Sequence, residues 1–160
     1  MMNYEYLHEV EHVEIRSPIP RPISELAPIF RSLGFTFHED IVSLDRQERM
    51  PPWQHSSVVE VEVLCGGEEI FGFDEGQWDT IRIKYLFATL PFELTDKFIE
   101  IAFLMSKEIA IPLERAGETI DEKSLRERFA WIRQELLDQT GEEAGSEGLA
   151  ILIHSTYPRR

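Results

Sequence analysis

Apolar and polar positions alternate most sharply at residues 58–63, where Val58, Val59, Val61 and Val63 are broken only by Glu60 and Glu62. That pattern predicts a half-buried strand. Gly66-Gly67 follows as a type I′ hairpin turn, and a second strand is expected to return over 69–73. A two-residue loop there pairs Val63 with Ile70 and Glu62 with Phe71. After a turn at 74–77, a third strand is expected over 80–90. Ile81, Ile83, Tyr85 and Phe87 share one of its faces, with Arg82 and Lys84 on the other. Continued as a meander, this strand brings Arg82 and Lys84 near Glu60 and Glu62. Cross-strand opposite charges contribute about 0.2–1 kcal/mol each. Glu60 and Glu62 therefore read as a solvated, partly neutralised sheet face rather than a catalytic pair.

Helical periodicity occupies the intervals between strands. Ile23, Leu26, Phe30 and Leu33 step by three and four, which predicts a helix from Pro22 to about Leu33 with Gly34 as its left-handed stop. Phe98, Ile101, Ala102, Met105 and Ile109 form the stripe of a helix over about 95–109. Ile99, Phe103 and Leu104 widen its apolar arc. A helix this apolar is buried on more than one side, either within the chain or at a subunit contact. Leu125, Phe129, Ile132 and Leu136 mark a third helix, with Asp121 and a Thr119–Glu122 capping box competing for its start.

Residues 11–16 and 35–44 read as further strands, 109–113 as a short edge strand, and 149–153 as an inner strand. Ser17-Pro18-Ile19-Pro20-Arg21-Pro22 reads as an extended connector, because three prolines remove hydrogen-bond donors. Residues 138–148 read as an acidic flexible loop and 157–160 as a tail. Strands outnumber helices and do not alternate with them. The expected fold class is α+β. It comprises one domain over 1–160, with a mixed, largely antiparallel sheet of five to six strands and three helices packed against it.

Composition narrows the function classes. The 160 residues include 16 Lys plus Arg and 30 Asp plus Glu, for a net charge of −14. Nucleic-acid coating needs clustered cations, so no nucleic-acid partner is expected. The most apolar stretch, 98–111, is too short to span a bilayer and carries Glu100, Lys107 and Glu108, so no membrane partner is expected. Met1–Tyr6 has no basic region leading into an apolar core, and Cys65 has no second cysteine to pair with. Both features point to the cytoplasm.

His8-Glu9-Val10-Glu11-His12 satisfies H-E-x-x-H, in which two histidines one helical turn apart hold zinc and the glutamate activates water. Its context argues against that chemistry. Val10, Val13 and Ile15 fit a strand leading into Pro18, and on a strand the two histidines stand about 13 Å apart. Surface histidines beside glutamates are the plainer reading, and no metal or other cofactor is expected. Cys65 has no base that the sequence brings to it. The Gly-rich phosphate-binding strings are absent from the sequence. No catalytic set assembles, which favours a non-enzymatic role.

Charge distribution supplies the remaining signal. Residues 35–78 carry ten acids and two bases, more than half of the net charge. Trp53, Phe71, Phe73 and Trp78 lie in the same stretch as Glu68, Glu69, Asp74 and Glu75. Aromatic anchors inside an acidic rim suit the capture of a basic protein. Solubility alone would also account for the charge, and core placement for the tryptophans. The first expectation is thus a protein–protein interaction domain, an inhibitor, immunity-type antitoxin or adaptor, that uses these eight residues. The alternatives are a small metal-dependent hydrolase using His8, Glu9 and His12, and a homodimeric structural or accessory protein joined through the 98–109 helix.

Overall fold

The computed structural model describes residues 11–37, 42–45, 57–70, 75–85, 92–143 and 146–148. Their strands are β1 (Glu11–Pro22), β2 (Thr36–Phe37), β3 (Val42–Asp45), β4 (Ser57–Cys65), β5 (Glu68–Glu69), β6 (Gln77–Tyr85), β7 (Glu114–Arg115) and β8 (Glu118–Thr119). The helices are α1 (Leu26–Ser32), α2 (Thr95–Ile109) and α3 (Glu122–Thr140). The sheet runs β2-β3-β4-β6-β1-β7-β8, with β5 beside β4, and every pairing among these strands is antiparallel. The α+β class stands. The extra strand segments beyond the expected six are two-residue ladders.

The centre of the sheet follows the alternation. Val61 lies opposite Ile83 and Val63 opposite Ile81, while Val13 and Ile15 face the same two isoleucines from the other side. All six are buried, and with Val59 and Tyr85 they form the floor on which the helices rest. Tyr85, Phe98 and Phe129 join sheet, α2 and α3, with ring centroids 5.3 to 5.5 Å apart. The stripe residues of α2 and α3 are buried. Of the residues that widen the apolar arc of α2, Ile99 lies inside, Phe103 is half-buried and Leu104 is exposed. That helix packs against α1, α3 and the sheet within one chain.

Several local expectations shift. The hairpin register is as read: Leu64 opposes Glu69, Cys65 opposes Glu68, and Ile70 N–H donates to Val63 O at 2.7 Å. The third strand does not continue a meander, because β6 pairs directly with β4 on the edge away from β5. The 35–44 strand is two strands, β2 and β3, that pair with each other. The proline connector belongs to β1, but its ladder breaks: Arg16 pairs with Thr80, and the next pairing is Arg21 with Trp78. Four residues of β1, 17–20, therefore stand against the single residue Asp79, since Pro18 and Pro20 have no N–H to donate.

The first helix is shorter than its stripe, because Ile23–Glu25 form a 3₁₀ turn ahead of α1. It ends as expected at Gly34, with φ 88°, and Phe35 N–H closes back on Phe30 O. In place of a strand at 109–113, α2 is capped by Ala110 in the left-handed region, and the edge hairpin β7–β8 begins at Glu114. Asp121 takes the cap of α3 and accepts from Ser124 N–H at 2.7 Å, a bond that holds its carboxyl below the usual aspartate range. The helix continues to Thr140, so the first three residues of the supposed acidic loop are helical. The expected strand at 149–153 and the tail lie outside the described residues.

Two stability measurements follow from this packing. Phe129→Ala is expected to lower unfolding stability by about 3–5 kcal/mol in urea titration, because it empties the junction of α2, α3 and the sheet. Ala110→Gly is expected to raise stability by about 1 kcal/mol, because φ is 64° there and glycine carries no Cβ penalty.

Candidate functional site

Residues out of phase with the core stripe of β1, β6 and β4 meet on the opposite face of the sheet. Register sets Glu14 and Glu62 on either side of Arg82, and places Lys84 between His12 and Glu60. Arg82 reaches Glu62 at 3.1 Å and Glu14 at 3.6 Å, and Lys84 reaches Glu62 at 2.6 Å. Arg16 bridges Glu14 at 3.2 Å and Glu114 at 3.6 Å. The Glu14 side chain is only 9% exposed, a burial that two flanking guanidinium groups make tolerable. Burial by itself would raise the Glu62 pKa. The hydrogen bond and charge of Lys84, joined by Arg82, outweigh that and hold the carboxyl below the usual glutamate range. This face is a neutralised ion network.

The acids of the hairpin end are different. Gly66 and Gly67 turn the chain at φ 60° and 84°, in the left-handed geometry of a type I′ turn. Glu68 and Glu69 are exposed there, Glu75 is exposed just ahead of β6, and none of the three forms an ion pair with any described residue. Asp79 secures the turn: one carboxylate oxygen accepts Gly66 N–H at 2.9 Å and the other accepts the Thr80 hydroxyl at 2.9 Å. Beside Asp79 the 17–20 bulge is tied by the Ser17 hydroxyl, which donates to Ile19 O at 2.5 Å. Ile19 stands out from it 67% exposed, the most exposed large apolar side chain among the described residues.

Of the proposed contact set, Glu68 and Glu69 share the short strand β5, Glu75 stands just ahead of β6, and Trp78 is withdrawn into the core. Trp78 is fully buried, its indole N–H donates to Glu25 at 2.9 Å, and Arg21 lies 5.5 Å from its ring centroid. The core alternative left open for this tryptophan is the one realised. Trp53, Phe71, Phe73 and Asp74 lie outside the described residues. Ile19 and Asp79 were missed by sequence reasoning. The signal for Ile19 was present, since a proline on each side forces a strand out of its ladder. Asp79 carried no signal, as its role depends on a turn thirteen residues away.

His12 sits on strand β1 opposite Lys84, whereas the zinc motif needs a helix; His8 and Glu9 lie outside the described residues. Among the described residues no three His, Cys, Asp or Glu side chains stand where they could hold a metal, and no helix is long and apolar enough to cross a membrane. Cys65 is a free, half-buried thiol at the end of β4. No protein-family model matches the chain, and no curated protein matches it.

The depressed Glu62 carboxyl gives a signed pH dependence. Its contribution is present above the ordinary glutamate value and is lost as pH falls through the lower folded value. Stability measured by denaturant titration between about pH 6 and about pH 3 is expected to fall less steeply for Glu62→Gln than for the unaltered chain.

Proposed function

We propose that this protein is a non-enzymatic binding domain that captures a basic protein with the hairpin end of its sheet. It would act as an inhibitor, an immunity-type antitoxin or an adaptor. The supporting observation is the contrast between two sets of acids in one sheet. Glu14 and Glu62 spend their charge on Arg16, Arg82 and Lys84, whereas Glu68 and Glu69 on β5 and Glu75 ahead of β6 leave theirs in solvent. Uncompensated charge concentrated at one end steers an oppositely charged partner and raises its association rate. Ile19, held out by the proline bulge beside the same end, supplies apolar area that is already ordered before contact.

The test begins with cross-linking in cells and identification of the bound protein, followed by kinetics with the two purified proteins. The partner is expected to be basic, and association is expected to slow steeply with added salt. The combined variant Glu68→Lys, Glu69→Lys, Glu75→Lys is expected to keep its thermal unfolding curve and to associate roughly tenfold or more slowly at low salt. An acidic partner, or an unchanged association rate, would overturn the proposal.

A further inference from the structure

A groove of about 420 Å³ lies between the outer side of α2 and the start of α3. Its α2 wall is one stripe at helical spacing, Asp96, Glu100, Phe103, Leu104 and Lys107; Glu122 and Arg126 of α3 close it. Phe103 is half-buried and Leu104 is 38% exposed, so apolar area lies open at the middle of the stripe. Charges of opposite sign stand one helical turn to either side of this apolar pair. Lys107 forms no ion pair with any described residue, and Glu100 reaches only Lys97, at 4.0 Å. Arg126 is spent on Asp96 and Glu122.

We propose that this groove joins two copies of the chain about a twofold axis, with their α2 helices antiparallel. The stripe is self-complementary in that arrangement. Positions 100 and 107 are centred on the same point of the helix as positions 103 and 104. A twofold axis through that point therefore sets Glu100 against Lys107 of the second copy and Lys107 against its Glu100, with Phe103 and Leu104 exchanging contacts between them. Each contact occurs twice, as an isologous interface requires. Charge also favours a second copy as the occupant. The groove is lined by three acids and two bases, a balance of −1 in a chain of net charge −14. A strongly charged foreign partner gains little from so even a surface, and a like-charged copy is repelled little there. None of Glu68, Glu69 and Glu75 lines the groove, so the pairing is independent of the docking proposal.

The test is the oligomeric state of the full chain. Sedimentation velocity over a dilution series from about 1 to about 500 μM is expected to show a monomer–dimer equilibrium with a micromolar dissociation constant. Leu104→Glu is expected to raise that constant roughly tenfold or more, because it places charge at the centre of the apolar contact twice over. Glu100→Lys and Lys107→Glu each set like charges face to face at both ends, and each is expected to weaken pairing roughly tenfold. All three positions are exposed, so thermal unfolding of the variants is expected to be unchanged. Mixed in equal amounts, the Glu100→Lys and Lys107→Glu chains are expected to pair with each other about as tightly as the unaltered chain pairs with itself, because the mixed dimer regains both opposite-charge contacts.

A monomer at every concentration would overturn the proposal, as would a dimer unmoved by Leu104→Glu. A dimer weakened by both charge reversals but not regained on mixing would overturn the antiparallel register. The other exposed large apolar side chains among the described residues, Ile19 and Trp131, lie outside the groove. A dimer lost on Ile19→Ser or Trp131→Ala but kept in Leu104→Glu would place the contact elsewhere and count equally against it. Reversal of Glu68, Glu69 and Glu75 is expected to leave the dimer intact. A monomeric chain that still captures a basic partner would remove the pairing and leave the docking proposal standing, and a dimer that captures none would do the opposite.

Discussion

The registry of β1, β6 and β4 divides the molecule into two chemistries. Alternation sends Val13, Ile15, Val61, Val63, Ile81 and Ile83 to one face, and Glu14, Arg16, Glu62, Arg82 and Lys84 to the other. A slip of one residue would exchange the two sets, exposing the apolar floor and burying charges without partners. The helices would then lose the apolar floor on which they rest. The ion network would also be lost, since its distances depend on Glu62 and Glu14 flanking Arg82 in register. Hydrophobic burial and ion pairing thus select the same alignment from opposite sides of the sheet.

Proline content sets the limit of that alignment. β1 leaves its ladder at Ser17 and rejoins it at Arg21, where Arg21 closes over Trp78 and pairs with Glu25 at 2.8 Å. The detour has two consequences at once. It seals a large aromatic into the core, with its N–H satisfied, and it leaves Ile19 outside. Prolines along an outer stretch of strand also discourage pairing with another chain, because they remove the donors that a second strand would need.

The distribution of charge matters more than its total. A net charge of −14 alone says only that the protein is acidic. The tertiary structure sorts that charge into acids that hold the sheet together and acids that hold nothing. Glu68, Glu69 and Glu75 belong to the second group, as do exposed acids elsewhere such as Glu108 and Glu118. The docking proposal rests on this sorting, and Asp79 differs from Glu68 and Glu69 in that its carboxylate holds the Gly66 turn.

The stripes of α2 and α3, the valine strand, the Gly66-Gly67 turn and the Val63–Ile70 register were legible in the sequence, because each depends on residues within one helical turn or one hairpin. Local periodicity and turn chemistry suffice for such features. The direct pairing of β6 with β4, the split of 35–44 into two strands and the burial of Trp78 were not legible. The β6–β4 pairing and the burial of Trp78 are decided by contacts between segments far apart in the chain, where several pairings satisfy the same local pattern, whereas β2 and β3 pair with each other as near neighbours in sequence. The difference between a spent and a free carboxylate belongs to the same class: Glu62 and Glu68 look alike along the chain, and only the neighbour that folding brings across the sheet tells them apart.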